Sequence, residues 1–188
     1  MKPSRTEESL LRRMKKIRLV LMDVDGVLTD GGLVLGSSGQ EFKVFHVQDG
    51  LGITLGRKAG LKMGILTGRT SEAVTRRAEE LHMDICVQGA YHKLEAYEDI
   101  LKRHGFQDDE VCYIGDDLLD LPVLRRVGFA AAVADARLEI RKIVHHVAAN
   151  PGGRGAVREV IEKILKAQST WADAVQGLFP QNNLTEVG

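Results

Sequence analysis

The sequence predicts an α/β fold with a mostly parallel sheet. Short apolar runs of strand length alternate with longer amphipathic segments of helix length. A chain of 188 residues most simply makes one domain, and a hydrophobic fraction of 44% allows it a sizeable core. No internal repeat breaks the alternation.

In chain order, residues 1–14 form a charged lead-in, amphipathic or frayed. Ile17–Met22 reads as a buried strand. Residues 33–47, "LVLGSSGQEFKVFHV", read as a hairpin with "GSSGQ" at its turn. A helix is expected over 48–59 despite its glycines, a strand over 61–66 and a helix over 70–82. "DICVQ", 84–88, is a short strand followed by a helix at about 92–104. "VCYIG", 111–115, is a strand that leads into a helix at "DLPVLRRV". "GFAAAV" is a strand of small residues, and "HHVAA", 145–149, is the last short strand. "PGGRG" then breaks the chain before one long final helix, "AVREVIEKILKAQSTWADAV". The expected single domain spans 15–176, with a flexible tail over 177–188 ending in "PQNNLTEVG".

Composition excludes several classes of partner. Twenty-six basic and 26 acidic residues cancel, which argues against a nucleic-acid or membrane surface. The apolar runs are too short to span a bilayer, and the N-terminus lacks the apolar stretch of a secretory signal. Cys86 and Cys112 each fall in a predicted strand without metal-ligand spacing, so both are expected to be buried, reduced thiols. A cytoplasmic protein is expected.

The first strand runs directly into "DVDGVLTDGG". A buried, unpaired carboxylate is costly, so Asp23 and Asp25 need either a positive partner or the end of the strand. In open parallel sheets, ligands bind beyond the carboxyl ends of the strands. At such an end both carboxylates can face a crevice, since residues two apart in an extended segment point the same way. Gly26 would permit the tight turn that follows. Three other strand ends carry comparable groups: Thr67-Gly68-Arg69, Lys93 ahead of its helix, and Asp116-Asp117-Leu118-Leu119-Asp120. In a parallel sheet all four meet at one edge.

Carboxylates, a hydroxyl beside backbone N–H groups, and an ammonium suit phosphoryl transfer. Carboxylates from two strands can hold Mg²⁺, a cation that prefers oxygen ligands. A metal-bound Asp23 can attack phosphorus, while Asp25 protonates the leaving oxygen and later takes a proton from water. Lys93 and the Thr67 hydroxyl would hold the transferring oxygens. Taken singly, each group has a plainer reading. "DxDG" can be a turn or a calcium loop, and Thr67-Gly68 a helix cap. Lys93 can be a solvated helix residue, and "GDDLLD" an acidic helix start. Together and in this order, each where a strand yields to a helix, they point to a phosphoryl-transfer site.

With these residues in place, the chain resembles the haloacid dehalogenase superfamily of Mg²⁺-dependent phosphohydrolases. The resemblance implies a Rossmann-like parallel sheet flanked by helices. It makes Asp23 the nucleophile, Asp25 the acid/base, Thr67 and Lys93 the phosphate binders, and Asp116 an acidic metal ligand. Asp25 would also ligate the metal through its carbonyl. Asp117 and Asp120 would be supporting acids, in a structural or a metal-binding role.

Only 36 residues separate Asp30 from Thr67, and 25 separate Thr67 from Lys93, so no cap domain fits. A capless site is open to water unless a neighbouring subunit covers it. The hairpin at 33–47 is an exposed apolar edge suited to pairing with other copies, so a homo-oligomer is expected.

The segments "DVDGVLTDG", "FHVQDGLGI", "LTGR", "YIGDDLLDLPVL", "AVADA" and "GGRGAVREV" are similar to one branch of the superfamily, across about residues 15–170. That branch consists of capless tetramers that release phosphate from an eight-carbon keto-deoxy sugar acid on the route to lipopolysaccharide. In it the hairpins assemble the tetramer, and a neighbour's C-terminal segment helps close the site. Here "PGGRG" and the helix after it would supply that segment, its plainer reading being a flexible linker. Such a substrate carries a phosphate and a carboxylate. Arg69 and Arg77 match substrate contacts of the branch, and a guanidinium can clasp a carboxylate with two hydrogen bonds. His46-Val47-Gln48-Asp49-Gly50 matches its sugar-binding stretch, with Gly68 beside Thr67.

The chain departs from the better-known members, which carry Asn-Val-Arg-Asp-Gly in that stretch. His46 and Gln48 stand there instead, and Thr54 replaces an Arg of some members. These differences keep nine-carbon keto-deoxy sugar acid phosphates open as substrates. A non-catalytic scaffold is a different class of reading, and a phosphomutase is disfavoured because it needs a cap to exclude water.

Overall fold

The computed structural model describes residues 5–179. The strands are β1 (Leu19–Met22), β2 (Val34–Leu35), β3 (Glu41–Phe42), β4 (Lys62–Leu66), β5 (Ile85–Val87), β6 (Val111–Gly115), β7 (Phe129–Ala132) and β8 (His146–Val147). The helices are α1 (Arg5–Met14), α2 (Val47–Lys58), α3 (Glu72–Glu80), α4 (Lys93–His104), α5 (Leu121–Leu124), α6 (Leu138–Arg141), α7 (Ala156–Ala167) and α8 (Trp171–Gln176).

Six strands form one parallel sheet in the order β5-β4-β1-β6-β7-β8. The chain builds outward from β1 through β4 to β5, then returns to lay β6 on the other side of β1. Strands β1, β6 and β7 are buried at every residue, as parallel strands covered on both faces must be. Helices α2, α7 and α8 pack on one another, with α1 against α7, while α4 packs on α5. Met22 is level with Ile65 of β4 and Ile114 of β6. The residues that follow these three strands therefore share one edge at the middle of the sheet.

The hairpin is present, but its ladder is short. Val34 pairs with Phe42 and Leu35 with Glu41, and a turn over 36–40 joins them. Between β1 and β4 lie only this hairpin and α2, and between β4 and β5 only α3, so neither interval holds a cap.

Several expectations are corrected. The final helix is two helices. Ser169 adopts a left-handed φ of 61°, and the Thr170 N–H returns to the Leu165 carbonyl at 3.0 Å. The Gln168 side chain meanwhile donates to the carbonyls of Met14 (3.0 Å) and Ile17 (2.7 Å). The break lets Trp171 fold back under Arg158 and Lys166. From Arg5 onward the lead-in takes the amphipathic form of its two expected ones, helix α1, and Met14 joins the core. Helix α6 was not expected. Cys112 is buried, but Cys86 is exposed because β5 is an edge strand. Of the tail expected over 177–188, residues 177–179 are described, with Leu178 packed against the core and the Gly177 carbonyl accepting from Lys58 at 3.0 Å, while 180–188 lie outside the described residues.

Candidate active site

The site begins where β1 runs out. The Asp23 N–H still donates to the Ile114 carbonyl at 3.0 Å, the last rung joining this segment to β6. Val24 is fully buried between the two partly exposed carboxylates, Asp23 and Asp25, so the alternation expected of an extended segment holds. The chain then turns at Gly26, whose φ is +91°, and the Val24 carbonyl accepts N–H groups from Val27, Leu28 and Thr29.

Beside Asp23 stands Lys93, the first residue of α4. It is buried, and its ammonium lies 2.8 Å from Asp23 Oδ2 and 2.6 Å from Asp120 Oδ1. It also donates to the Tyr113 hydroxyl at 3.2 Å. Burial works against this charge, but Asp120 and Asp23 more than offset it, and the pKa of Lys93 is raised. The plainer reading of Lys93 as a solvated helix residue is thereby removed. The other Asp23 oxygen, Oδ1, accepts the Val24 N–H at 2.7 Å. Burial first, and then the charge of Asp120, raise the Asp23 pKa, with Lys93 opposing them.

The acidic segment after β6 divides its labour. Asp120 is buried and its oxygens are occupied: Oδ1 accepts from Lys93 and from the Tyr113 hydroxyl (2.7 Å), and Oδ2 from the N–H groups of Asp116 (2.9 Å) and Asp117 (3.3 Å). Asp117 is exposed and caps the short turn Leu118–Asp120 by accepting the Leu118 N–H at 2.7 Å. Asp116 differs from both. Its Oδ1 is buried and has no hydrogen-bond partner. Burial, followed by the charges of Asp120, Asp23 and Asp117, pushes its pKa up to about 8.

Oxygens of Asp23, Asp116 and Asp120 all lie within 4.8 Å of one another. Three crowded carboxylates, one with an unsatisfied buried oxygen, fit a small hard cation such as Mg²⁺. Both Asp120 oxygens are engaged twice over by Lys93, Tyr113 and backbone N–H groups, whereas Asp116 Oδ1 is unpartnered and Asp23 Oδ1 accepts a single backbone N–H, so Asp116 and Asp23 are the side chains best placed to hold it.

On the other side of β1, Thr67 directly follows β4. It is buried, its N–H donates to Val87 and its carbonyl accepts from Ala90, each at 3.0 Å, which ties the loop before α4 to the end of β4. Gly68 and Arg69 follow. Arg69 reaches Asp25, its Nε 3.4 Å from Oδ2. The other oxygen of Asp25 is paired with Lys43, which follows β3, a residue the sequence reading did not single out. Its only sequence signal is the alternation Glu41-Phe42-Lys43-Val44, charged on one side and apolar on the other. Tyr113 was also missed, because a tyrosine inside an apolar strand reads as core.

The stretch 46–50 leads into the expected helix, which begins at Val47. His46 directly precedes α2 without a side-chain cap bond, and Val47, Gln48, Asp49 and Gly50 form its first turn. Asp49 is buried, and its carboxylate accepts the N–H groups of Gly155 (3.1 Å) and Arg158 (2.8 Å), so it caps α7. Val47 is exposed, and Gln48 lines a surface cleft with Asn150, Arg154 and Arg158. Arg77 packs beside Gly50 and the Phe45 ring and pairs with Glu80 at 2.8 Å. The "PGGRG" segment is not a flexible linker. Gly152 lies so close to the Gly26 carbonyl that a side chain would collide with it, and the Gly153 N–H donates to Val27 at 2.9 Å.

Comparison with known proteins agrees with this geometry. Residues 53–128 match the haloacid dehalogenase-like hydrolase family. The 3-deoxy-D-manno-octulosonate 8-phosphate phosphatase KdsC of Yersinia pestis is 42% identical over 161 residues, 86% of each chain. Its counterpart in Escherichia coli K12 is 39% identical over 165 residues, 88% of each chain. Among solved structures, the 3-deoxy-D-manno-octulosonate 8-phosphate phosphatase of Moraxella catarrhalis, in complex with a magnesium ion, a phosphate ion and a KDO molecule, superposes with a TM-score of 0.88. It is 40% identical, and the match covers 91% of this chain and 98% of that one.

Proposed function

Because the chain belongs to the 3-deoxy-D-manno-octulosonate 8-phosphate phosphatase family of haloacid dehalogenase-like hydrolases, we propose that it hydrolyses that sugar acid phosphate to the free sugar acid and inorganic phosphate, with Mg²⁺ as cofactor. One observation carries the reading: a nucleophile candidate, Asp23, lies between the buried Lys93 ammonium and the unpartnered oxygen of Asp116, with Asp25 two residues on.

Held by Asp23, Asp116 and the Asp25 carbonyl, Mg²⁺ would supply the positive charge that lets an anionic phosphate approach an anionic nucleophile. The Asp23 carboxylate attacks phosphorus, and the bond from phosphorus to the sugar oxygen breaks. Asp25 gives its proton to that departing oxygen. The aspartyl phosphate is then cleared by water. Asp25, now a carboxylate, takes the water's proton as the water oxygen attacks phosphorus, and Asp23 is released. Lys93, the Thr67 hydroxyl and the backbone at Gly68 hold the phosphoryl oxygens. Asp120 holds Lys93 in place, and Asp117 shapes the turn that presents Asp116. Arg69 and Arg77 are the candidates for the substrate carboxylate, with His46 and Gln48 toward the sugar.

The working form is a homotetramer in which a neighbouring subunit covers the open site. Leu35, Phe42 and Val44 of the hairpin are 68%, 57% and 74% exposed, an apolar surface suited to burial between copies. No helix among the described residues is long and apolar enough to cross a membrane, and two unpaired cysteines suit a reducing, cytoplasmic compartment. The reaction belongs to lipopolysaccharide precursor synthesis.

A phosphate-release assay with Mg²⁺ over eight- and nine-carbon sugar acid phosphates and simple esters tests the assignment. Preference for the eight-carbon substrate is expected. Preference for a nine-carbon one would move the assignment to the reading that His46 and Gln48 leave open, and equal rates on simple esters would defeat both. An Asp23→Asn protein that assembles normally but releases no phosphate separates catalysis from a scaffold role.

A further inference from the structure

We propose that Lys43, braced by Glu41, is a positioning residue that holds the acid/base Asp25 in place from the hairpin; this rests on the phosphatase reading above. The observation is a closed ring of alternating charges. Lys43 Nζ pairs with Asp25 Oδ1 and lies 2.9 Å from Glu41 Oε1. Glu41 Oε2 lies 3.0 Å from Arg69 Nη2, and Arg69 Nε lies 3.4 Å from Asp25 Oδ2. Each acid touches both bases, and each base touches both acids.

The two cations of the ring are not equivalent. The Lys43 side chain is 1% exposed, whereas that of Arg69 is 43% exposed and its contact with Asp25 is the longer one. An arginine so exposed can trade its grip on Asp25 for an incoming carboxylate. Lys43 cannot leave without carrying a charge out of a buried place where two carboxylates compensate it. When a substrate takes Arg69, Lys43 therefore keeps Asp25 Oδ1, and Oδ2 is left to carry the proton that Asp25 gives to the leaving oxygen. A general acid must lie within hydrogen-bond reach of the atom it protonates, so a fixed carboxylate matters most where a proton must be delivered.

The hairpin suits this task because of its two faces. Glu41 and Lys43 turn toward Asp25, while Phe42 and Val44 are exposed on the opposite side. Among the described residues, no other side chain between β1 and α2 brings a cation to Asp25, and Lys43 lies outside the segments that carry Asp23 and Lys93.

Lys43→Met and Glu41→Gln, assayed with Mg²⁺ on two esters, test the assignment. One is an alkyl ester, the sugar acid phosphate or any sugar phosphate the wild type accepts. The other is p-nitrophenyl phosphate, whose phenolate departs without protonation. The quantity read is kcat/KM, which reports steps through departure of the leaving group. Lys43→Met should lose about 100-fold on the alkyl ester, at the low end of a general acid's contribution, and less than about threefold on p-nitrophenyl phosphate. Glu41→Gln should shift the ratio of the two in the same direction by a smaller factor. Equal losses on both esters would show a merely structural or phosphate-binding role and overturn the assignment, as would no loss on either. If Lys43→Met does not fold, as judged by its melting transition, Glu41→Gln alone decides: an unchanged ratio overturns it. A wild type inactive on every alkyl phosphate would instead sink the phosphatase reading itself.

Discussion

The Lys93 ammonium lies 2.8 Å from Asp23 Oδ2, a buried cation against the carboxylate that ends the first strand of the sheet. The same ammonium holds Asp120 at 2.6 Å, so one charge compensates two acids. Lys93→Met should therefore act twice. It should cost about 3–5 kcal/mol of stability by leaving buried carboxylates without a partner. It should also lower kcat by about 10²–10³-fold through lost stabilisation of the phosphoryl oxygens. Urea unfolding and phosphate release measure the two losses separately.

Asp116 offers the one carboxylate oxygen of the cluster that is both buried and unpartnered. If that oxygen serves a cation, Mg²⁺ should raise the melting temperature of the wild type, since anything that binds only the folded state stabilises it. In Asp116→Asn the rise should vanish. The metal-free variant should melt no lower than the metal-free wild type, because one of three crowded acids has been neutralised. A full Mg²⁺ shift in the variant would exclude Asp116 as a ligand.

Asp49 joins two helices that are far apart in sequence, accepting the N–H groups of Gly155 and Arg158 at the start of α7. Asp49→Ala leaves both donors unpaired and should cost about 1–3 kcal/mol. Its signature is a lower urea midpoint with little change in KM. A large KM effect at unchanged stability would instead return Asp49 to the sugar-binding role that the sequence suggested.

His145 Nδ1 accepts the Ala130 N–H at 2.9 Å, which requires an unprotonated nitrogen there. Burial, helped by the charge of Arg13, lowers its pKa below 6.5. The unfolded chain therefore binds this proton more readily. The contribution to stability is complete above pH about 6.5 and is lost as the pH falls through the lower, folded-state value. His146, also depressed by burial, adds to the same slope. His145→Asn keeps an acceptor but does not titrate, so its urea midpoint should fall less than that of the wild type between pH 7.5 and pH 5.

Phe42 is 57% exposed on the outer side of the hairpin. Phe42→Asp would set a charge in the surface proposed to be buried between subunits. Sedimentation should show smaller species than the wild type at equal concentration, and an unchanged distribution would place the interface elsewhere.

Much of the fold was legible because parallel strands carry a strong local signature. The run "VCYIG" was recognisable as a strand from its apolar residues alone, and it spans the observed Val111–Gly115. Departures fall where tertiary contacts overrule local pattern. The periodicity of "AVREVIEKILKAQSTWADAV" continues smoothly, yet the helix breaks at Ser169 because Gln168 is drawn to carbonyls at Met14 and Ile17. Those partners are more than 150 residues away in the chain, and no local window could reveal them.

The sequence by itself determined that acids, a hydroxyl and a cation follow successive strands, and a parallel sheet gathers the ends of its strands at one edge whatever the details of packing. Only the tertiary structure decided which acid does what. Asp116, Asp117 and Asp120 are near neighbours in one short segment, but one is left unpartnered, one caps a turn and one is consumed by Lys93 and Tyr113. The presence of Lys43 at Asp25 was likewise decided in three dimensions. A charge acquires its role from the dielectric and the partners around it, and those are properties of the folded chain and not of residue order.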